Sequence, residues 1–294
     1  MLTIKRLTSC TFEEAAQLWN EGFADYFFPM SMTVDMYVRR MAGEGLSPEY
    51  SVVAYVNEQP AGFILNGIRH NKGKKIAWNG GTVVIPRFRG LGIARSMVQA
   101  SLAIYQENGV EIATLEAISE NNRAIQLYKS MGYKVADHLA IYRQDNESGE
   151  CVHYNETPTR YRMTYGRPSD TAGLPFYKHF VSWQTQWQSL RDGGEAFLVS
   201  DSSGQTVGYT LYKRTVDESG NLLGITLYQC EADNNREDRE EIAVYTVNKL
   251  FSSCTVPCKQ TAVNIASTNA PAARALERMG FTRDAEQAWM VRDL

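Results

Sequence analysis

The chain lacks most of what would mark a secreted, membrane-bound or nucleic-acid-binding protein. No stretch approaches the roughly 20 consecutive apolar residues that span a bilayer. The opening Met-Leu-Thr-Ile-Lys-Arg has no apolar signal-peptide core and reads as a first strand. Cysteine is sparse: five in 294 residues, an odd number without the spacing of a disulfide framework, which fits a reducing cytoplasm. Cys254 and Cys258 have no second ligand pair nearby, and the four histidines are scattered, so no metal is expected. The net charge is only −3, which favours neither nucleic acid nor an anionic membrane as partner. What remains is ordinary soluble globular composition, 44% hydrophobic and 21% charged, at a length that suits one large domain or two of usual size.

The informative stretch runs from Thr82 to Met97. An apolar, β-branched run, Val83-Val84-Ile85, stops at Pro86, which cannot donate to a strand ladder. Gly90 and Gly92 follow, and then apolar residues recur at helical spacing, so the reading is strand, tight loop, helix. The first amides of such a helix have no internal partner, and its dipole turns the positive end toward the loop. The two glycines let an anion approach the backbone, and Arg87, Arg89 and Arg95 add positive potential. A phosphate or diphosphate suits this loop. No Walker A string occurs, and Arg95 stands where a dinucleotide fingerprint needs its third small residue.

The string Arg87-Phe88-Arg89-Gly90-Leu91-Gly92 resembles instead the [Q/R]-x-x-G-x-[G/A] acyl-CoA loop of the GNAT acetyltransferases. A second run is similar to that family's other signature. It opens at Asn121, carries Ala124, Leu127 and Tyr128 on one helical face, and ends at Met131-Gly132-Tyr133. Gly132 is placed to stop the helix in a left-handed conformation.

Around these motifs the chain reads in order. Thr11 and Glu14 form a capping box that opens a helix to about Asn20. A dense aromatic loop, 22–30, precedes a second helix near 33–43. Strands at 51–56 and 61–68 flank the turn Asn57-Glu58-Gln59-Pro60. The strand entering the loop, 76–85, carries a bulge at Gly80-Gly81. A helix reaches Asn108, a strand covers 111–117, and 133–143 returns as the last strands before a polar turn or linker at 144–156.

The second half repeats the first in register. Asn121, Ala124, Met131 and Gly132 are answered by Asn269, Ala272, Met279 and Gly280, and Tyr133 by Phe281. Ala61-Gly62-Phe63 is answered by Val207-Gly208-Tyr209. So long a period indicates two copies of one domain, expected at 1–145 and 158–294. The expected class is α/β of the α+β type: two tandem GNAT folds, each a mixed, mostly antiparallel sheet flanked by helices. Where the first copy has Gly90 and Gly92 the second has Asp238 and Glu240, and Tyr128 becomes Leu276. Carboxylates there repel phosphate, so the second copy is a degenerate domain without the diphosphate loop. An aromatic helix through Phe176, Tyr177, Phe180, Trp183 and Trp187 reads as core or inter-domain packing.

The resemblance implies acetyl-CoA as cosubstrate, lying between two splayed strands. Backbone groups of Val83, Val84 and Ile85 would hold its pantetheine, and amides from Phe88, Arg89, Gly90, Leu91, Gly92, Ile93 and Ala94 its diphosphate. The Val84 N–H or a neighbour would polarise the thioester carbonyl. Tyr128 is the expected general acid, since a phenol is protonated at neutral pH. Glu116 or an ordered water is the base, and Asn121 caps its helix and also reaches the cofactor. Transfer is direct, in a ternary complex, with no acyl-enzyme. The other class left open is a non-catalytic acyl-CoA-binding or regulatory module. The acceptor is an amine: a small molecule is favoured by the aromatic loop and the second domain, and a peptide N-terminus stays open. Oligomeric state is not readable.

Overall fold

The computed structural model describes residues 1–27, 30–146, 160–252 and 256–294. Phe28 and Pro29 of the aromatic loop lie outside them, as do Cys254 and the stretch read as linker beyond residue 146. The chain divides into two compact units, one of residues 1–136 with 289–294, the other of residues 137–288. This division differs from a cut at 145. Residues 137–146 pair with strand 258–266 of the second unit, and the last six residues belong to the first unit, where the Leu294 amide donates to the Glu111 carbonyl at 2.9 Å.

In the first unit the elements are β1 (Leu2–Arg6), α1 (Phe12–Gly22), α2 (Val34–Glu44), β2 (Val52–Val56), β3 (Gln59–Asn71), β4 (Lys74–Val84), α3 (Ile93–Glu107), β5 (Ile112–Ile118) and α4 (Asn122–Ser130). Strand order is β1-β2-β3-β4-β5, antiparallel except for the parallel pair β4–β5. Local chemistry accounts for most boundaries. Thr11 Oγ1 accepts from the Glu14 amide at 3.1 Å while Glu14 returns a carboxylate to the Thr11 amide at 2.8 Å. Thr11→Ala should therefore lower stability by about 1 kcal/mol, read as a fall in Tm. Thr33 caps α2 in the same way, and Gly45 ends it at φ 69°. The β2–β3 turn is tighter than the sequence suggests. Asn57 and Glu58 alone make it, both at positive φ (47° and 67°), and Gln59 and Pro60 already belong to β3.

The sheet is packed on both faces. On one, α1 and α2 bring Trp19 and Tyr37 against Phe63. On the other, Asn66 is satisfied by Ser101 at 3.0 Å and by the Tyr105 hydroxyl at 2.6 Å, both from α3.

β6 (Lys134–Asn146) begins in the first unit and runs mostly in the second. The second unit continues with β7 (Arg162–Gly166), α5 (Pro168–Thr171), β8 (Gly194–Ser200), β9 (Thr206–Val216), β10 (Leu222–Ala232), α6 (Arg239–Phe251), β11 (Cys258–Ala266), α7 (Ala270–Arg278) and the start of β12 (Thr282–Asp293), which from Trp289 on belongs to the first unit. Its sheet order is β6-β11-β10-β9-β8-β7, again with one parallel pair, β10–β11. The repeat extends to individual hydrogen bonds. The Tyr133 amide donates to the Tyr128 carbonyl past Gly132 (φ 86°), and the Phe281 amide donates to the Leu276 carbonyl past Gly280 (φ 83°), each at 3.1 Å.

One expectation fails here. Residues 176–187 form no helix, only short 3-10 turns at Trp183–Thr185 and Trp187–Leu190. Two of their backbone amides go to tyrosine hydroxyls instead: Lys178 donates to Tyr209 and Trp187 to Tyr177, both at 3.0 Å. Tyr177 and Trp183 are buried, Tyr177 in one cluster with Leu190, Tyr209 and Leu211, while Phe180 is exposed.

Candidate active site

The first unit's site is built where β4 and β5 part. Their parallel register runs from Ile76↔Ile112 to Asn79↔Leu115 and ends there. The next residue of β4, Gly80, is the extra residue of a bulge against β3, whose register passes from Asn66↔Asn79 to Leu65↔Gly81. A bulge adds local twist and bends the strand. Beyond it β4 has a strand partner on one side only. Ile85 donates to Ala61 at 3.0 Å, so Ile85 and Val83 direct their amides to β3. The alternate residues Val84 and Thr82 turn theirs toward the gap. The Ile85 carbonyl also accepts from the Phe88 amide at 3.0 Å. Of the three backbone positions expected to face a ligand, Val84 is the one free of the β3 ladder, because alternation sends its neighbours the other way.

Pro86–Phe88 then form one 3-10 turn, and Gly90 (φ 86°) and Gly92 (φ 74°) carry the chain into α3. A Cβ built at either glycine meets nothing within 4 Å, so the space over the loop is open. Gly92 is the N-cap and has no side chain to cap the helix. The first amide bonded back into α3 is that of Ser96, which donates to the Gly92 carbonyl at 3.1 Å, leaving the amides of Ile93, Ala94 and Arg95 without intrahelical acceptors. Leu91 stands 63% exposed between the glycines. An open helix start of this kind can receive an anion.

The arginines divide. Arg89 donates through Nε to the Val84 carbonyl (3.0 Å) and through Nη2 to the Gly22 carbonyl (2.8 Å). It ties the loop to α1. Arg95 donates to Ser130 Oγ at 3.0 Å, fixing the start of α3 to the end of α4. Arg87 is exposed, its guanidinium 5.1 Å from the Phe88 ring centroid.

Two further groups reach the gap from opposite faces of the sheet. Tyr128 on α4 is 6% exposed and hydrogen-bonds to Thr82 and Asn79. Burial raises its phenol above the ordinary value of 10.0, opposed by those two bonds. Asn79 and Thr82 are fixed to each other (Asn79 Nδ2 to Thr82 Oγ1, 2.9 Å), and the Gly81 amide donates to Asn79 Oδ1 at 3.1 Å. The bulge itself thus holds the residues that hold Tyr128. On the opposite face Glu116 accepts from the Trp78 indole N–H at 2.6 Å. Asn121 caps α4, its oxygen accepting from the Ala124 amide at 3.1 Å, and it also bonds to the Tyr26 hydroxyl. Both ends of its amide are thus engaged within the protein.

The sequence reading missed Asn79, Thr82, Trp78 and Tyr26. The one available signal was the Gly80-Gly81 bulge, which marks a re-aimed strand without saying which side chains it gathers.

Residues 11–133 match the sequence profile of the acetyltransferase (GNAT) family. That stretch is a GNAT domain. No curated protein matches the sequence. Solved structures share the fold over the whole chain. A tandem GNAT protein from the clavulanic acid biosynthesis pathway superposes with a TM-score of 0.65 at 13% identity, covering 100% of this chain and 98% of its own. A GCN5-related N-acetyltransferase from Sphaerobacter thermophilus gives 0.64 at 15% identity, over 100% and 95%. The glucosamine N-acetyltransferase region of a fungal multi-domain GH3 β-N-acetylglucosaminidase gives 0.68 at 13%, over 99% and 38%. Both units therefore have GNAT folds in tandem, and acyl transfer is the general chemistry of the family matched by the first.

The second GNAT fold keeps the frame and alters the site. Parallel pairing of β10 and β11 stops at Leu227↔Ala262, again beside a bulge, here at Tyr228. Across that gap Asn269 Nδ2 donates to the Cys230 carbonyl (3.0 Å) and to Glu231 (2.8 Å). Burial raises the Glu231 carboxyl to about 7, against the pull of Lys178 and the Asn269 bond. Asp238 sits at the start of α6, held by Arg236 through two bonds of 2.8 and 2.9 Å and by the Tyr161 hydroxyl at 2.8 Å. Glu240 pairs with Arg274 and Arg278. Side chains of the protein itself thus occupy the helix start that glycine leaves open in the first unit.

Arg236 and Tyr161 hold the Asp238 carboxyl well below its ordinary 3.8. A depressed folded-state value stabilises the fold at neutral pH, and that contribution is lost as pH falls below the unfolded value. Asp238→Asn should lower Tm at pH 7 and make progressively less difference as the buffer is taken below pH 3.8.

Proposed function

We propose that the first unit is an acetyl-CoA-dependent N-acetyltransferase that moves the acetyl group directly to an amine. The observation that carries this reading is the pairing of an open glycine cradle at the start of α3 with a buried tyrosine at the strand gap. Acetyl-CoA, when bound, supplies a thioester carbonyl. The amides of Ile93, Ala94 and Arg95 would hold its diphosphate, and the Val84 N–H would donate to the carbonyl oxygen as charge builds there. As the amine nitrogen bonds to the carbonyl carbon, the C–S bond breaks and Tyr128 gives its hydroxyl proton to the departing sulfur. Glu116 takes the proton lost by the amine, directly or through one water. The reading favours a neutral phenol at Tyr128, and burial keeps it so.

CoA titration into the full chain, followed by thiol release from acetyl-CoA with a panel of amines, tests this. Binding with turnover supports it. Binding without turnover on any amine replaces it with a non-catalytic acyl-CoA-binding module, and absence of binding removes both.

A further inference from the structure

Arg40 on α2 is a half-buried cation that forms no ion pair among the described residues. Its Nη2 donates to the Gly80 carbonyl at 2.7 Å, and its guanidinium lies 5.1 Å from the Trp19 ring centroid. Its Nε is buried and has no hydrogen-bond partner. Such a donor is costly to leave unmade, and more so when it is charged.

The place matters as much as the charge. Gly80 is the first residue of β4 beyond the last pair, Asn79↔Leu115, and Glu116 is the first of β5. Gly80, whose carbonyl the α2 cation holds, and Glu116 therefore stand on neighbouring strands at the vertex of the same gap. Arg40 and Glu116 also share a face. Glu116 bonds to Trp78, whose ring a Cβ at Gly80 would strike at 2.5 Å, and Trp19, under Arg40, lies 3.3 Å from the place of a Cβ at Gly81. Tyr128, Asn79 and Thr82 occupy the other face, the one covered by α3.

The geometry points to an acceptor that carries a carboxylate as well as its amine, that is, a free amino acid or a close analogue. Arg40 receives the carboxylate and Glu116 the amine end. One guanidinium with one hydrogen bond already committed suits a monoanion. A phosphate dianion would bring a second negative charge into a half-buried site with a single cation. This deepens the acetyltransferase reading and rests on it.

The test is calorimetric titration of the full chain, saturated with CoA, with each of the twenty L-amino acids and then with the α-amide and the decarboxylated amine of those that bind. At least one amino acid should bind, with its amide and decarboxylated amine weaker by about 30-fold or more. Arg40→Gln should abolish that preference, Arg40→Lys should retain part of it, and neither should move CoA affinity. An amide that binds as tightly as its acid, or a panel without any binder, overturns the proposal, as does an equal loss for acid and amide in Arg40→Gln. The acid-to-amide comparison on the unmutated chain stands even if Arg40→Gln does not fold. If CoA itself does not bind, the acetyltransferase reading fails, and the same titration without CoA still reports on Arg40.

Discussion

Gly90→Glu should raise the dissociation constant for CoA by about 100-fold or more, with little change in the overall fold. Two effects combine. A carboxylate about 4 Å from a phosphate costs roughly 4 kcal/mol at an effective dielectric of about 20, and solvent at this exposed loop trims that figure. In addition, φ at Gly90 is 86°, where a side chain is strained. Gly90→Ala separates the two contributions, since it carries the strain without the charge and should cost only about tenfold. The matched control lies in the second unit. Asp238→Asn removes a carboxylate from the corresponding helix start and should leave CoA affinity unchanged while lowering stability, because Arg236 and Tyr161 lose their partner. CoA docking at residues 236–241 would reverse the assignment of the two units.

Tyr128→Phe should lower kcat by 10²–10⁴ while CoA binding is retained, the range for loss of one positioned general acid. The ring is buried and its hydroxyl is tied to Thr82 and Asn79, so removing one oxygen leaves the packing in place. Because burial raises this phenol, any alkaline fall in rate governed by Tyr128 should lie above the ordinary 10.0. Thr82→Val probes the support. It removes the hydroxyl that orients Tyr128 and should lower kcat by a smaller factor, with KM for acetyl-CoA held. An unchanged rate in Tyr128→Phe would take the residue out of the mechanism.

The parts legible in the sequence were those decided by a few consecutive residues. The capping box at Thr11 and Glu14, the left-handed stops at Gly132 and Gly280, the caps at Asn121 and Asn269 and the glycine cradle before α3 are all set by local backbone requirements. The repeat across 148 positions was legible for the same reason, because both copies need those punctuation marks in the same places. The aromatic segment at 176–187 was misread because periodic rings suggest a helix. Instead its backbone turns in short 3-10 stretches, and hydroxyls of Tyr177 within the segment and Tyr209 on a distant strand take up two of its amides.

Only the tertiary structure decided how the loop and its neighbours are used. Arg89 is one more positive charge in the string, and only the fold shows that it reaches the Gly22 carbonyl and tethers the loop to α1. Asn79 and Thr82 are unremarkable strand residues until the bulge at Gly80 turns both toward Tyr128. Arg40 reads as one more charge on an amphipathic helix, and becomes a half-buried cation only when α2 is laid over the point where β4 and β5 part. Caps and turns are short-range and survive in any context, whereas hydrogen-bond partners far apart in the chain exist only once the sheet has brought them together.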